Sequence, residues 1–169
     1  MGKRLKLRFN APVTLSFVSI SFIATLLGIA SNGEITKALF MTYHSSFLNP
    51  MTYVRFVTHV FGHVGWSHFI GNASYLLLLG PMLEEKHGSK AILEVILITA
   101  VVTGLINYFF FWNIGLCGAS GVVFAFIMLA SFTDFREGEI PITFILVAAI
   151  FIRQQVYEGI AVQDNISNM

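Results

Sequence analysis

Phe56–Leu83 reads FVTHVFGHVGWSHFIGNASYLLLLGPML: twenty-eight residues without a formal charge, interrupted by three histidines and closed by Glu84-Glu85-Lys86-His87-Gly88-Ser89-Lys90. About 20 helical residues cross the roughly 30 Å hydrocarbon core of a bilayer. A run of this length is therefore a candidate span, and its charged closing run a solvated connector. The rest of the chain has the same texture. No charge falls between Arg8 and Glu34, around an apolar core from Ala11 to Ala30. Past Glu94 none falls until Asp134, a gap of 39 residues. That is too long for one helix and suits two joined by a tight turn at Asn113-Ile114-Gly115-Leu116-Cys117-Gly118. A last apolar run starts at Ile140-Pro141, with proline suited to a first helical turn, and reaches Tyr157 across Arg153, whose long stem can snorkel. Spans are thus expected at 11–30, 56–80, 93–112, 118–133 and 141–157, in one all-α polytopic membrane domain over 1–169.

Composition agrees. The 169 residues are 56% hydrophobic and 11% charged, where soluble domains carry about 25%. Too little charge is present to cover a soluble globule of this size, and the apolar content excludes a disordered chain. A net charge of +1 leaves no basic field for nucleic acid. The single cysteine, Cys117, excludes an internal disulfide and a Cys-based zinc cluster. The basic start followed by Ala11–Ala30 also has signal-peptide features, down to a small-residue Gly28-Ile29-Ala30 end. Its apolar run, however, exceeds the roughly 7–15 residues of such segments, so a retained helix is expected. Glu34–Tyr53 is polar and aromatic and reads as a loop at the membrane surface. With a cytoplasmic N-terminus, inside segments hold Lys3, Arg4, Lys6, Arg8, Lys86, Lys90 and Arg136, and outside ones hold Lys37 and Arg55. Seven positive residues against two orient the chain, and a bacterial plasma membrane is the expected location.

Polar side chains inside apolar runs need a reason. On a continuous helix, residues four apart share a face, which pairs His59 with His63 and His68 with Asn72. Two imidazoles at that spacing can bind one metal ion or haem, but a third ligand is lacking unless Gly62 or Gly65 breaks the helix. The plainer expectation is that His59 and His63 sit near the outer interface and satisfy loop carbonyls or water. Ser120, between Gly118 and Gly121, falls in the first turn of a helix. There unpaired N–H groups and the positive end of the helix dipole suit an oxyanion. Alone, Gly-Ala-Ser-Gly reads first as an N-cap in a small-residue packing patch. With His68 and Asn72 as side-chain donors, it becomes a kit for acyl transfer that lacks a base.

The run from Arg55 to Gly88, with Gly118-Ala119-Ser120-Gly121, resembles the signatures of rhomboid intramembrane serine proteases. His68 and Asn72 fall on the family's His-x-x-x-Asn, Glu84 and Gly88 on its Glu-x-x-x-Gly, and Phe124 on an aromatic position that packs against the catalytic histidine. The resemblance implies a rhomboid-like bundle with five of six core helices present. It implies Ser120 as nucleophile, with His68 and Asn72 stabilising the oxyanion, and a site sunk below the outer surface. It further implies single-pass membrane proteins as substrates within the lipid bilayer, and no cofactor or metal. A helix hides its carbonyls, so the substrate must unwind locally before attack. Two departures stand out. Tyr53-Val54-Arg55 replaces the Trp-Arg pair of some members. The family's base is a histidine on a sixth helix, whereas no histidine follows His87. The expectation is a chain stopped short of that helix and inactive as it stands. The alternatives are an inactive rhomboid-like protein that binds membrane helices without cutting them, and a small haem or metal protein.

Overall fold

A computed structural model describes residues 9–132 and 141–153. The basic residues Lys3–Arg8, Arg136, the ends of the last two expected spans and the C-terminal Val162–Met169 lie outside the described residues. The described chain forms helices α1 (Pro12–Ala30), α2 (Glu34–Leu39), α3 (Pro50–Thr58), α4 (Trp66–His87), α5 (Ser89–Phe110), α6 (Ser120–Phe132) and α7 (Ile142–Arg153), with a 3₁₀ turn at His59–Phe61. Among the described residues the only β-type pairing is an isolated antiparallel bridge between Thr42 and Leu116.

The burial pattern is that of a membrane protein turned to suit lipid. On α1 the buried face is Thr14, Phe17, Ser21, Ala24, Thr25 and Gly28, while Ile20, Phe22, Ile23, Leu26, Leu27 and Ile29 are exposed. Apart from Phe17, small and hydroxyl side chains turn inward and large apolar ones outward, the reverse of a soluble helix. Without a hydrophobic drive between helices in lipid, close backbone approach and hydrogen bonds hold such an interface. Gly80 of α4 shows that approach, since a Cβ there would run into Thr14. α1 and α5 are long and apolar enough to cross a membrane.

Three features depart from the sequence expectation. The 56–80 span is not one helix: the chain leaves helical geometry between the 3₁₀ turn and Trp66, and Gly62 and Gly65 both sit in the break. Gly62 is required there, because a Cβ would overlap the backbone of Phe40. The surface segment 34–53 is partly helical, through α2 and the start of α3. Finally, α4 extends to His87 and α5 starts at Ser89, so a single residue, Gly88 at φ +83°, makes the turn.

Glu84 explains how the first helix is anchored. Pro12 at the start of α1 has no N–H, and no side chain from its own segment caps the helix. Instead Glu84, 4% exposed, accepts from Val13 N–H, Thr14 N–H and Thr14 Oγ1, each at 2.9 Å, and from Ser89 Oγ at 2.7 Å. A carboxylate at the positive end of a helix satisfies donors that otherwise have none.

Candidate functional site

The site begins where α6 begins. Val123 N–H donates to Ala119 C=O at 2.9 Å, which makes Ala119 the cap residue and Ser120 the first helical one. The N–H groups of Ser120, Gly121 and Val122 thus lie in the first turn, where an α-helix supplies no acceptor. Depth follows from the neighbour helix. A Cβ on Gly121 would sit 3.2 Å from Thr103 Cγ2 and 3.5 Å from Thr99 Cγ2. Thr103 lies two turns before the last residue of α5, so Ser120 starts about 10 Å below that helix end. The loop 111–119 fills the difference, pinned by the two-way Thr42–Leu116 bridge at 2.9 Å and by Asn107 Nδ2 donating to Thr42 O and Ile114 O.

The broken segment before α4 grips the same turn. Gly118 N–H donates to His59 C=O at 2.9 Å, and Ala119 N–H donates to His63 Nε2 at 3.4 Å. Gly118 has φ +128°, open to glycine alone, and a Cβ there would lie 2.7 Å from Cε1 and 2.9 Å from Nε2 of His68. The His68 imidazole is thus seated on the peptide two residues before Ser120. One turn further along α4, Asn72 is 2% exposed, and neither Oδ1 nor Nδ2 has a hydrogen-bond partner among the described residues. A buried unpartnered carboxamide is costly by about 1–3 kcal/mol, so its retention calls for a use.

His59 and His63 depart from their expected setting. They do not share a helix face, because the break separates them, and both are buried among the helices. His59 Nε2 meets Ala100 O of α5 at 3.0 Å, whereas His63 turns toward α1 and the α6 turn. The two imidazoles serve different helices. Phe124, half-buried one turn past Ser120, stacks on Phe151 of α7 at 6.3 Å, and Phe151 meets Tyr75 edge-on at 5.6 Å.

Sequence reasoning missed two contributors. Arg55, though counted among the outside charges, is buried: its guanidinium donates to Tyr43 OH at 2.8 Å and Ser45 Oγ at 3.1 Å and lies 4.3 Å over the Tyr43 ring. It ties the loop before α3 to the bundle. His63 is the other: the sequence paired it with His59 on spacing, whereas its contact is with the turn before Ser120.

Comparison with known proteins adds lineage to this geometry. The chain is 27% identical over 124 residues to Rhomboid-like protein 11, chloroplastic, of Arabidopsis thaliana, covering 73% of the chain and 42% of that relative. It is 31% identical over 99 residues to Rhomboid-related protein 1 of Caenorhabditis elegans, covering 58% of the chain and 28% of that relative. It thus spans less than half the length of either. The Rhomboid domain profile matches residues 50–169, which takes in every site residue from Arg55 to Phe124, and by that match the chain belongs to the rhomboid family.

Proposed function

We propose that the intact protein is an intramembrane serine endopeptidase that cleaves single-pass membrane proteins in or beside their transmembrane helix. The observation that carries the reading is the seating of His68 on Gly118, which sets an imidazole beside the turn leading into Ser120. Asn72 supports it with an uncommitted buried amide one turn away.

In this mechanism Ser120 Oγ attacks the scissile carbonyl carbon. The carbonyl oxygen becomes an oxyanion that accepts from the first-turn N–H groups of α6 and from His68 and Asn72. The tetrahedral intermediate collapses to an acyl-enzyme, the amine leaves with a proton, and water entering from the outer side hydrolyses the ester. A general base is required for both steps. His59 and His63 are committed to Ala100 and Ala119. His44 is stacked on Trp112 at 4.6 Å beside Tyr108, His87 lies at the opposite end of α4 from His68, and using His68 as base would remove an oxyanion donor. We place the base on a histidine outside these 169 residues. The protein lies with its N-terminus in the cytoplasm and crosses the bilayer several times. No cofactor takes part.

A fluorophosphonate probe on the full-length protein tests this. Labelling that disappears in Ser120→Ala, with cleavage of a transmembrane substrate lost in parallel, is expected. Absence of both in the wild type refutes the enzyme and leaves a helix-binding rhomboid-like protein.

A further inference from the structure

We infer that His63 is a positioning residue for this acyl transfer, holding in one unit the peptide that leads into Ser120 and the imidazole of His68. The inference rests on Ser120 as the nucleophile. The Ala119 N–H is a donor only, so His63 Nε2, 3.4 Å away, is the unprotonated ring nitrogen. The ring proton then sits on Nδ1, which faces Phe61 O at 3.2 Å and Thr25 Oγ1 at 3.4 Å. Thr25 directs its own proton to Ser21 O at 2.8 Å, which leaves its oxygen as an acceptor toward Nδ1–H. One neutral tautomer satisfies every contact.

The same ring touches His68, edge to face at 5.0 Å and 76°. His68 rests on Gly118, Gly118 leads to Ala119, and Ala119 donates back to His63, so the contacts close a circuit next to Ser120. Any displacement of His63 reaches both the turn and the imidazole assigned to the oxyanion. The turn itself survives loss of the His63 side chain, because Gly118 N–H is held by a backbone carbonyl, that of His59. A His63 variant is therefore expected to fold and to misplace the reacting groups, and a misplacement of about 1 Å costs about 100-fold in rate.

The test uses full-length protein in liposomes with a transmembrane substrate, measuring kcat and KM for wild type, Ser120→Ala, His63→Ala, His63→Gln and His63→Asn. A Gln amide reaches the position of Nε2 and can accept the Ala119 N–H, whereas Asn reaches only that of Nδ1. His63→Ala and His63→Asn should lower kcat about 10- to 100-fold with KM within about twofold. His63→Gln should recover kcat to within about fivefold of wild type. Gln and Asn variants with equal kcat, a loss confined to KM, or wild-type kcat in the Ala variant would each overturn the positioning role. If His63→Ala does not fold, the Gln and Asn pair decides alone. A wild type without Ser120-dependent turnover refutes the protease reading, and the inference falls with it.

Discussion

Gly118→Ala puts the seating of His68 to a quantitative test. The new Cβ would lie 2.7 Å from Cε1 of His68, against an ordinary contact of 3.4 Å or more, so the ring must retreat by about 0.7 Å. The His63 ring, 5.0 Å from it and edge to face, must adjust to that retreat. Backbone strain at φ +128° adds about 1–3 kcal/mol, and the steric conflict adds about 1–3 kcal/mol. Together these are a sizeable fraction of the 5–15 kcal/mol typical of a folded domain. A displacement of that size at a donor is also expected to lower kcat by about 10- to 100-fold. Gly121→Ala is the internal control on the other side of Ser120. Its Cβ meets the methyls of Thr103 and Thr99, at 3.2 and 3.5 Å, and Thr103 Oγ1 at 3.8 Å, and its φ is not positive. There the helical gain of about 0.5–1 kcal/mol for Ala over Gly offsets the crowding. Unfolding midpoints in detergent should fall steeply for the first variant and hardly at all for the second, and kcat in liposomes should fall steeply for the first. If Gly118→Ala keeps kcat within about threefold of wild type at an unchanged midpoint, His68 is not held by this turn and the reasoning fails.

Asn72→Leu should separate stability from chemistry: it removes a buried amide without partners among the described residues. The midpoint is therefore expected to hold or rise, while kcat falls about 100- to 1,000-fold for a lost oxyanion donor. Glu84→Gln should do the opposite. It turns an acceptor-only group facing four donors into one with its own N–H, costing about 2–3 kcal/mol in unfolding measurements while kcat of the folded enzyme stays near wild type. Arg55→Leu cuts the bonds to Tyr43 and Ser45, so limited proteolysis should cleave within 41–48 at a rate at least about tenfold above wild type, as expected for lower local stability.

The outlines of the fold were legible because a bilayer imposes one simple rule. Charge gaps mark apolar helices, and the helix pair on either side of the 111–119 loop follows from a gap too long for one. Ser120 at a helix start was legible from its flanking glycines, and His68 with Asn72 from a spacing of four within what is one helix, α4. The His59 and His63 pairing failed because the break that Gly62 and Gly65 allow is fixed by contacts distant in sequence. Spacing arguments need an unbroken helix, and the break is imposed from elsewhere, by Phe40 packed on Gly62 and by Gly118 N–H bound to His59 C=O. Glu84 likewise capped a helix start 70 residues away in sequence, a partnership visible only in three dimensions.

The break is what makes a site possible. A continuous helix through 59–68 would direct the His59 carbonyl to its own helix and set His63 and His68 on separate faces. With the helix interrupted at Gly62 and Gly65, that carbonyl and the His63 ring both turn to the α6 entry, and His68 restarts a helix against Gly118. Irregular backbone at membrane depth is tolerated only where other groups satisfy it. Here the Gly118 amide satisfies the His59 carbonyl while the Ala119 amide meets the His63 ring, and the same two bonds fix the residue that follows them, Ser120.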